Sequence, residues 1–144
     1  MTTVKDVLNQ KGRGVYSIPP DASVYEALQV MADKNIASLI VLDDGKLVGI
    51  MSERIYAREI ILKGRTSFGT LVREVMSTRV LYAQPDQSVQ ECMAVMAAND
   101  LRHLPVLQND ELVGIVSIGD MVKSVIGDQK FSIEQYEHYI HGDH

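Results

Sequence analysis

The sequence predicts an α+β fold built from two tandem repeats, each ordered strand, helix, strand, strand, helix, with a further helix at the C-terminal end. Two observations carry this prediction. One is an internal duplication: PDASVYEALQVMADKNIASLIVLDDGKLVGIMS, starting at Pro20, aligns without a gap on PDQSVQECMAVMAANDLRHLPVLQNDELVGIVS, starting at Pro85, with roughly half of about 33 positions identical. The other is that the apolar period changes at the same places in both copies, from helical spacing to short continuous runs and back.

Each element follows from local chemistry. A short extended piece, VYSI or VLYA, runs into a Pro-Asp turn. Ser23 or Ser88 then caps a helix, and Glu26 or Glu91 three residues later has the spacing of a capping box. Val24, Leu28, Met31 and Ala32 form the apolar face of the first helix, and Val89, Met93, Met96 and Ala97 that of its copy. Two apolar runs around the turn DDG, or QND in the second copy, read as a hairpin. The last helix starts near Glu53 or Ile118 and stops at Gly64 or Gly127. The domain reading is therefore a first repeat with its lead-in over 1–66, a second over 67–128, and a helical tail over 129–144. The segment GRTSFGT, 64–70, is the polar linker, and VKDVL at 4–8 is echoed by VREVM at 72–76. In the tail, Ser132 and Gln135 have capping-box spacing, and Ile133, Tyr136 and Ile140 share one helical face.

Composition narrows the function. Of 144 residues, 46% are hydrophobic and 23% charged, ordinary values for a globular chain. No long apolar run, leader pattern or lipidation signal is visible, so a cytoplasmic protein with no membrane association is expected. The single cysteine, Cys92, excludes an internal disulfide, and its place in an apolar helical pattern predicts a small buried side chain. A net charge of -5 argues against nucleic acid held by overall electrostatics and leaves local arginines free to meet a small anion. Phosphate-loop, dinucleotide, nucleophile-elbow and metal-hydrolase motifs are missing, so no catalysis is expected. His138, His141 and His144 lack an acid or cysteine framework, and no metal is assigned to them.

The paired units, the strand LVGI(M/V)S, the strand RHLPV and the S-x-x-D step into the last helix resemble the cystathionine β-synthase (CBS) domain in its tandem form, over about Val4 to Gly127. The resemblance implies two repeats packed sheet to sheet about a pseudo-twofold axis, with two clefts for adenosine-containing ligands such as AMP, ADP, ATP, NAD or S-adenosylmethionine. It also implies a homodimer and a regulatory role toward an unidentified partner protein, with a bound adenine nucleotide as regulatory ligand and no catalytic cofactor. In the principal cleft it places Asp120 on the ribose hydroxyls, with Ser117, Gly119, Lys11, Tyr16, Ile36, Ala37 and Ser38 around the ligand. Arg54 and Arg58 are candidates for phosphate, or else lie on a solvated helix face. The second cleft would use Ser52, Thr78, Val80, Arg102, His103 and Pro105.

There the expected acid is Ile55, a departure from the family pattern that predicts two unequal clefts. Independently of the family, a carboxylate just inside a helix start can take both ribose hydroxyls while nearby amides meet phosphate, or can simply favour the helix dipole. A constitutive interaction scaffold without nucleotide response is the competing reading of the whole chain.

Overall fold

A computed structural model describes residues 2–128, so the predicted tail helix and its histidines lie outside the described residues. The chain is of mixed α and β structure and divides into two compact units. One joins the chain up to Gly14 to Tyr82–Asn109 and to the chain from Val113 onward; the other takes Val15–Leu81 with Asp110–Leu112. The units thus cut across the linear repeats, because the lead-in of each repeat is buried in the core built around the other repeat's hairpin.

In the first of these units, helix α1 (Val4–Lys11) starts at Thr3, whose hydroxyl and backbone N–H form a reciprocal capping box with Asp6. Val4, Val7 and Leu8 are buried on its inner face. Helix α5 (Val89–Ala98) adds Val89, Cys92 and Met96 to the same core, and helix α6 (Ile118–Asp128) adds Met121. Strands β4 (His103–Gln108) and β5 (Glu111–Ser117) form a two-stranded sheet. The residues Asn109 and Asp110 between them have φ of 53° and 65°, the left-handed pair that a tight two-residue hairpin requires.

The predicted opening strand VLYA shrinks here to one parallel bridge between Ala83 and Val106. The Ala83 N–H donates to the Pro105 carbonyl and the Leu107 N–H to Ala83. The next rung would need an amide hydrogen at position 105, where proline has none. Cys92 is buried, as the sequence predicts, and burial raises its thiol pKa, with Glu91 adding to the effect.

In the other unit the corresponding strand forms: β1 (Ser17–Ile18) pairs in parallel with β2 (Ser38–Asp43), which pairs antiparallel with β3 (Lys46–Ser52). Helix α2 (Val24–Lys34) buries Val24, Ala27 and Met31. Helices α2 and α5 therefore both use an i, i+3, i+7 face, in which Ala27 joins the residues expected from the sequence and the predicted buried Cys92 takes the equivalent place, while Ala32 and Ala97 are exposed. Ser23 and Ser88 cap as expected, accepting from the N–H of Glu26 and Glu91 at 3.1 Å, but no glutamate hydrogen bond back to either serine's backbone is present among the described residues.

The helix predicted to run from Glu53 is one α-turn, α3 (Glu53–Ile55), followed by a π-helical stretch (Tyr56–Ile61). Its wider turn keeps Ile55, Tyr56 and Ile60 against the core. A short helix, α4 (Val72–Val75), buries Val72 in this unit, as α1 buries Val4 in the other.

The two lead-in segments close on equivalent glycines. A Cβ added at Gly114 would lie 2.7 Å from Leu8 Cδ2, and one at Gly49 would lie 2.7 Å from Met76 Sδ and 2.9 Å from the Ser77 carbonyl oxygen. The glycine of LVGI is thus the seat on which the last residue of VKDVL or VREVM rests.

Candidate functional site

The N-terminus of α6 gathers the chemistry of its unit. Ser117, at the end of β5, accepts from the Asp120 N–H at 3.0 Å, and its own N–H donates to Asp120 Oδ2 at 2.9 Å. This reciprocal box locks the Asp120 carboxylate over the first turn, where the helix dipole favours a negative charge. Lys11, in the last turn of α1, donates to the same Oδ2 at 2.6 Å, and both side chains remain partly accessible at 29% and 22%. The Ile118 N–H donates to the Arg102 carbonyl at 2.9 Å, which ties the entry of β4 to the start of α6.

The electrostatics follow from this packing. Desolvation alone would raise the Asp120 pKa, but the hydrogen bond from Lys11 and the two interactions with Ser117 outweigh it and hold the carboxyl below its ordinary range. Asp120 is therefore ionised at neutral pH. His103 is shifted down, first by desolvation and then by the charge of Lys11, with Asp120 opposing and Arg102 adding to the depression. One acid, two fixed cations and a neutral imidazole thus share one field. Gly119 leaves this turn open, because a Cβ there would find only Ser117 Oγ, at 3.7 Å.

The sequence reading divided these residues between two clefts, with Lys11, Ser117, Gly119 and Asp120 in the principal one and Arg102, His103 and Pro105 in the second. All seven belong to the same compact unit, where Pro105 is buried within β4. Spacing along the chain gives no sign of the Lys11–Asp120 pair, whose members are 109 residues apart. The grouping of Arg102 with α6 was also missed; its only sequence signal is the S-x-x-D capping box itself.

The remaining candidates belong to the other unit. Ser52 caps α3, accepting from the Ile55 N–H at 3.1 Å, and pairs with Ser38 in the sheet. The Glu53 N–H donates to the Ala37 carbonyl at 3.0 Å, repeating the tie between Ile118 and Arg102. Ala37, Ser38, Ser52 and Ile55 are thus brought together. Ile55 packs against the core, which gives the missing acid a physical reason: the position is used for apolar contact. Ile36 packs there too, whereas Tyr16 is 53% exposed with Lys34 over its ring. Arg54, Arg58 and Thr78 are exposed and Val80 is half-buried. Arg79, the counterpart of Lys11 when VREVM is laid on VKDVL, is exposed and has no ion pair among the described residues.

Among the described residues no group of three His, Cys, Asp or Glu side chains could hold a metal, and no helix is long and apolar enough to cross a membrane. A family model described as CBS domain matches residues 3–61 and again 72–127. The Arabidopsis thaliana mitochondrial protein CBSX3 is 33% identical over 150 residues, covering 98% of this chain and 73% of its own. A CBS-domain protein from Burkholderia ambifaria superposes with a TM-score of 0.81 at 46% identity, over 92% of this chain and 99% of that one. The CBS domain pair of the protein MJ0100, solved in complex with 5′-methylthioadenosine and S-adenosyl-L-methionine, superposes with a TM-score of 0.74 at 27% identity, over 89% and 98%.

Proposed function

The chain belongs to the CBS domain family, with two copies in tandem, and from that premise we propose that it is a non-catalytic regulatory module binding an adenosine-containing nucleotide, AMP, ADP, ATP or NAD, at Asp120. The observation that carries the reading is the ionised Asp120 carboxylate held over the α6 terminus by Ser117, with Lys11, Arg102 and His103 in its field. A carboxylate so placed takes hydrogen bonds from the two ribose hydroxyls, and the surrounding cations and helix amides suit a phosphate. The adenosine-based ligands of the MJ0100 pair support the ligand class. Ser52 with Ala37 and Ser38 forms the weaker counterpart, where Ile55 offers a ribose no acceptor. Ligand binding then biases a conformational equilibrium that a partner protein reads from a homodimer, and this requires different affinity for the two states.

Calorimetric titration of AMP, ATP and NAD into nucleotide-stripped protein tests the proposal, with Asp120→Ala as control. One strong site per chain, weakened about 10- to 100-fold in the variant by loss of a charged hydrogen-bond acceptor, is the expected result. Unchanged affinity in Asp120→Ala would remove Asp120 from the site. The scaffold reading keeps one observation in its favour, the Lys11 ammonium already seated on Asp120; failure of all three nucleotides to bind would favour it, or a ligand outside this set.

A further inference from the structure

We propose that Lys11 is a ligand-displaced latch on Asp120, and that this latch makes the site select adenosine ligands carrying an anionic group over the bare nucleoside. The inference rests on the nucleotide reading above and adds to it a rule of specificity.

The argument begins at one oxygen. Asp120 Oδ2 already accepts the Ser117 N–H at 2.9 Å and the Lys11 ammonium at 2.6 Å. A carboxylate oxygen offers about two directed acceptor sites, so Oδ2 has none left, and although Oδ1 accepts from no described residue, a ribose diol that spans both carboxylate oxygens must displace one of the donors on Oδ2. The Ser117 bond is part of the α6 cap and cannot be given up without unlocking the turn. Lys11 is the member that can leave. Its backbone is fixed, because α1 buries Val4, Val7 and Leu8, with Leu8 resting on Gly114. Its side chain is a flexible stem with a compact charge, so displacement needs only a rotamer change.

What the ligand brings then decides the balance. A neutral nucleoside breaks the ion pair and leaves the ammonium without a partner. A nucleotide breaks the same pair but presents a phosphate to the released ammonium, which re-forms a charge-assisted hydrogen bond. Lys11 therefore works against adenosine, and because a phosphate carries about -1.5 to -2 charges against the carboxylate's single one, the exchanged pair is the stronger and Lys11 works in favour of AMP. A lysine that merely bound phosphate would favour AMP and leave adenosine untouched.

This difference of sign is the test. Adenosine and AMP are titrated calorimetrically into the full chain as wild type, Lys11→Met, Lys11→Gln and Asp120→Ala. The lysine variants remove a partly exposed group at a helix end and leave the buried face of α1 intact. Adenosine is expected to bind both about 3- to 10-fold more tightly than wild type, and AMP about 3- to 10-fold more weakly, so that the preference for AMP shrinks by roughly 10- to 100-fold. If wild type binds AMP through Asp120 but both ligands shift in the same direction, or neither shifts, in the lysine variants, the latch is overturned and the nucleotide site stands. If Asp120→Ala binds AMP as wild type does, or neither wild type nor any variant binds either ligand, the Asp120 reading fails and the latch fails with it.

Discussion

Gly114→Ala should destabilise the protein through one contact. The added methyl would sit 2.7 Å from Leu8 Cδ2 and 3.3 Å from Cδ1, against an optimal carbon separation of about 3.5 to 4.0 Å. Leu8 is fully buried, so it can give way only by moving into a filled core. Overpacking of this kind costs about 1 to 3 kcal/mol, offset by about 0.4 to 1 kcal/mol because alanine restricts the unfolded chain. The net loss is at most about 2.6 kcal/mol and centres near about 1.3 kcal/mol, read as a lower urea midpoint at unchanged slope. Leu8→Ala alone should cost about 2 to 5 kcal/mol by opening a cavity. The double variant places the new methyl where the lost branch had been, so the two effects should fall short of their sum by at least about 0.5 kcal/mol. Strict additivity, or a Gly114→Ala midpoint equal to wild type, would refute the account of Gly114 as the seat of α1. Gly49→Ala should be the costlier of the two glycine changes, because the Ser77 carbonyl lies 2.9 Å from its Cβ and cannot rotate aside like a side chain.

Ile55→Asp should create a second, weaker nucleotide event in calorimetry, since Ser52 already provides the capping half of the motif. It should also lower stability by about 1 kcal/mol, read by thermal unfolding, because the isoleucine packs on the core. Gly119→Val should weaken AMP binding with little change in melting temperature, because a Cβ there meets only Ser117 Oγ, at an ordinary contact distance of 3.7 Å; a large loss of stability would show that the turn is not open. Because His103 is shifted down on folding, the unfolded chain binds the extra proton between its ordinary value near 6.5 and the folded one. Stability from this group is therefore complete above that range and declines as pH falls through it. Denaturation of wild type and His103→Gln between pH 7 and pH 5 should show a shallower decline in the variant.

The legible parts of the fold were those written twice. The Pro-Asp turn, the serine caps, the hairpins and the buried Cys92 each rest on a few neighbouring residues, and their chemistry is visible in a short window. The opening strand of the second repeat failed at Pro105 because a missing amide hydrogen acts on a strand some twenty residues away. The lead-in helices were harder still. VKDVL and VREVM were visible as an echo, but nothing in five residues says which hairpin they will cover. At the site, Asp120 and Ser117 were legible as a helix-start motif, whereas Lys11 and His103 reach that acid only through tertiary packing.

The seat of α1 on Gly114 has a consequence for how the protein is made. Residues 4–11 leave the ribosome well before the glycine that receives Leu8 and the acid that receives Lys11, which come about a hundred residues later. At roughly 5 to 20 residues per second, Val4, Val7 and Leu8, the apolar face of α1, spend about 5 to 20 s with no surface to cover them. The first repeat can close around Met76 well before that, so synthesis imposes an order: the Ile55 unit matures on the nascent chain, and the Asp120 unit waits for its C-terminal half.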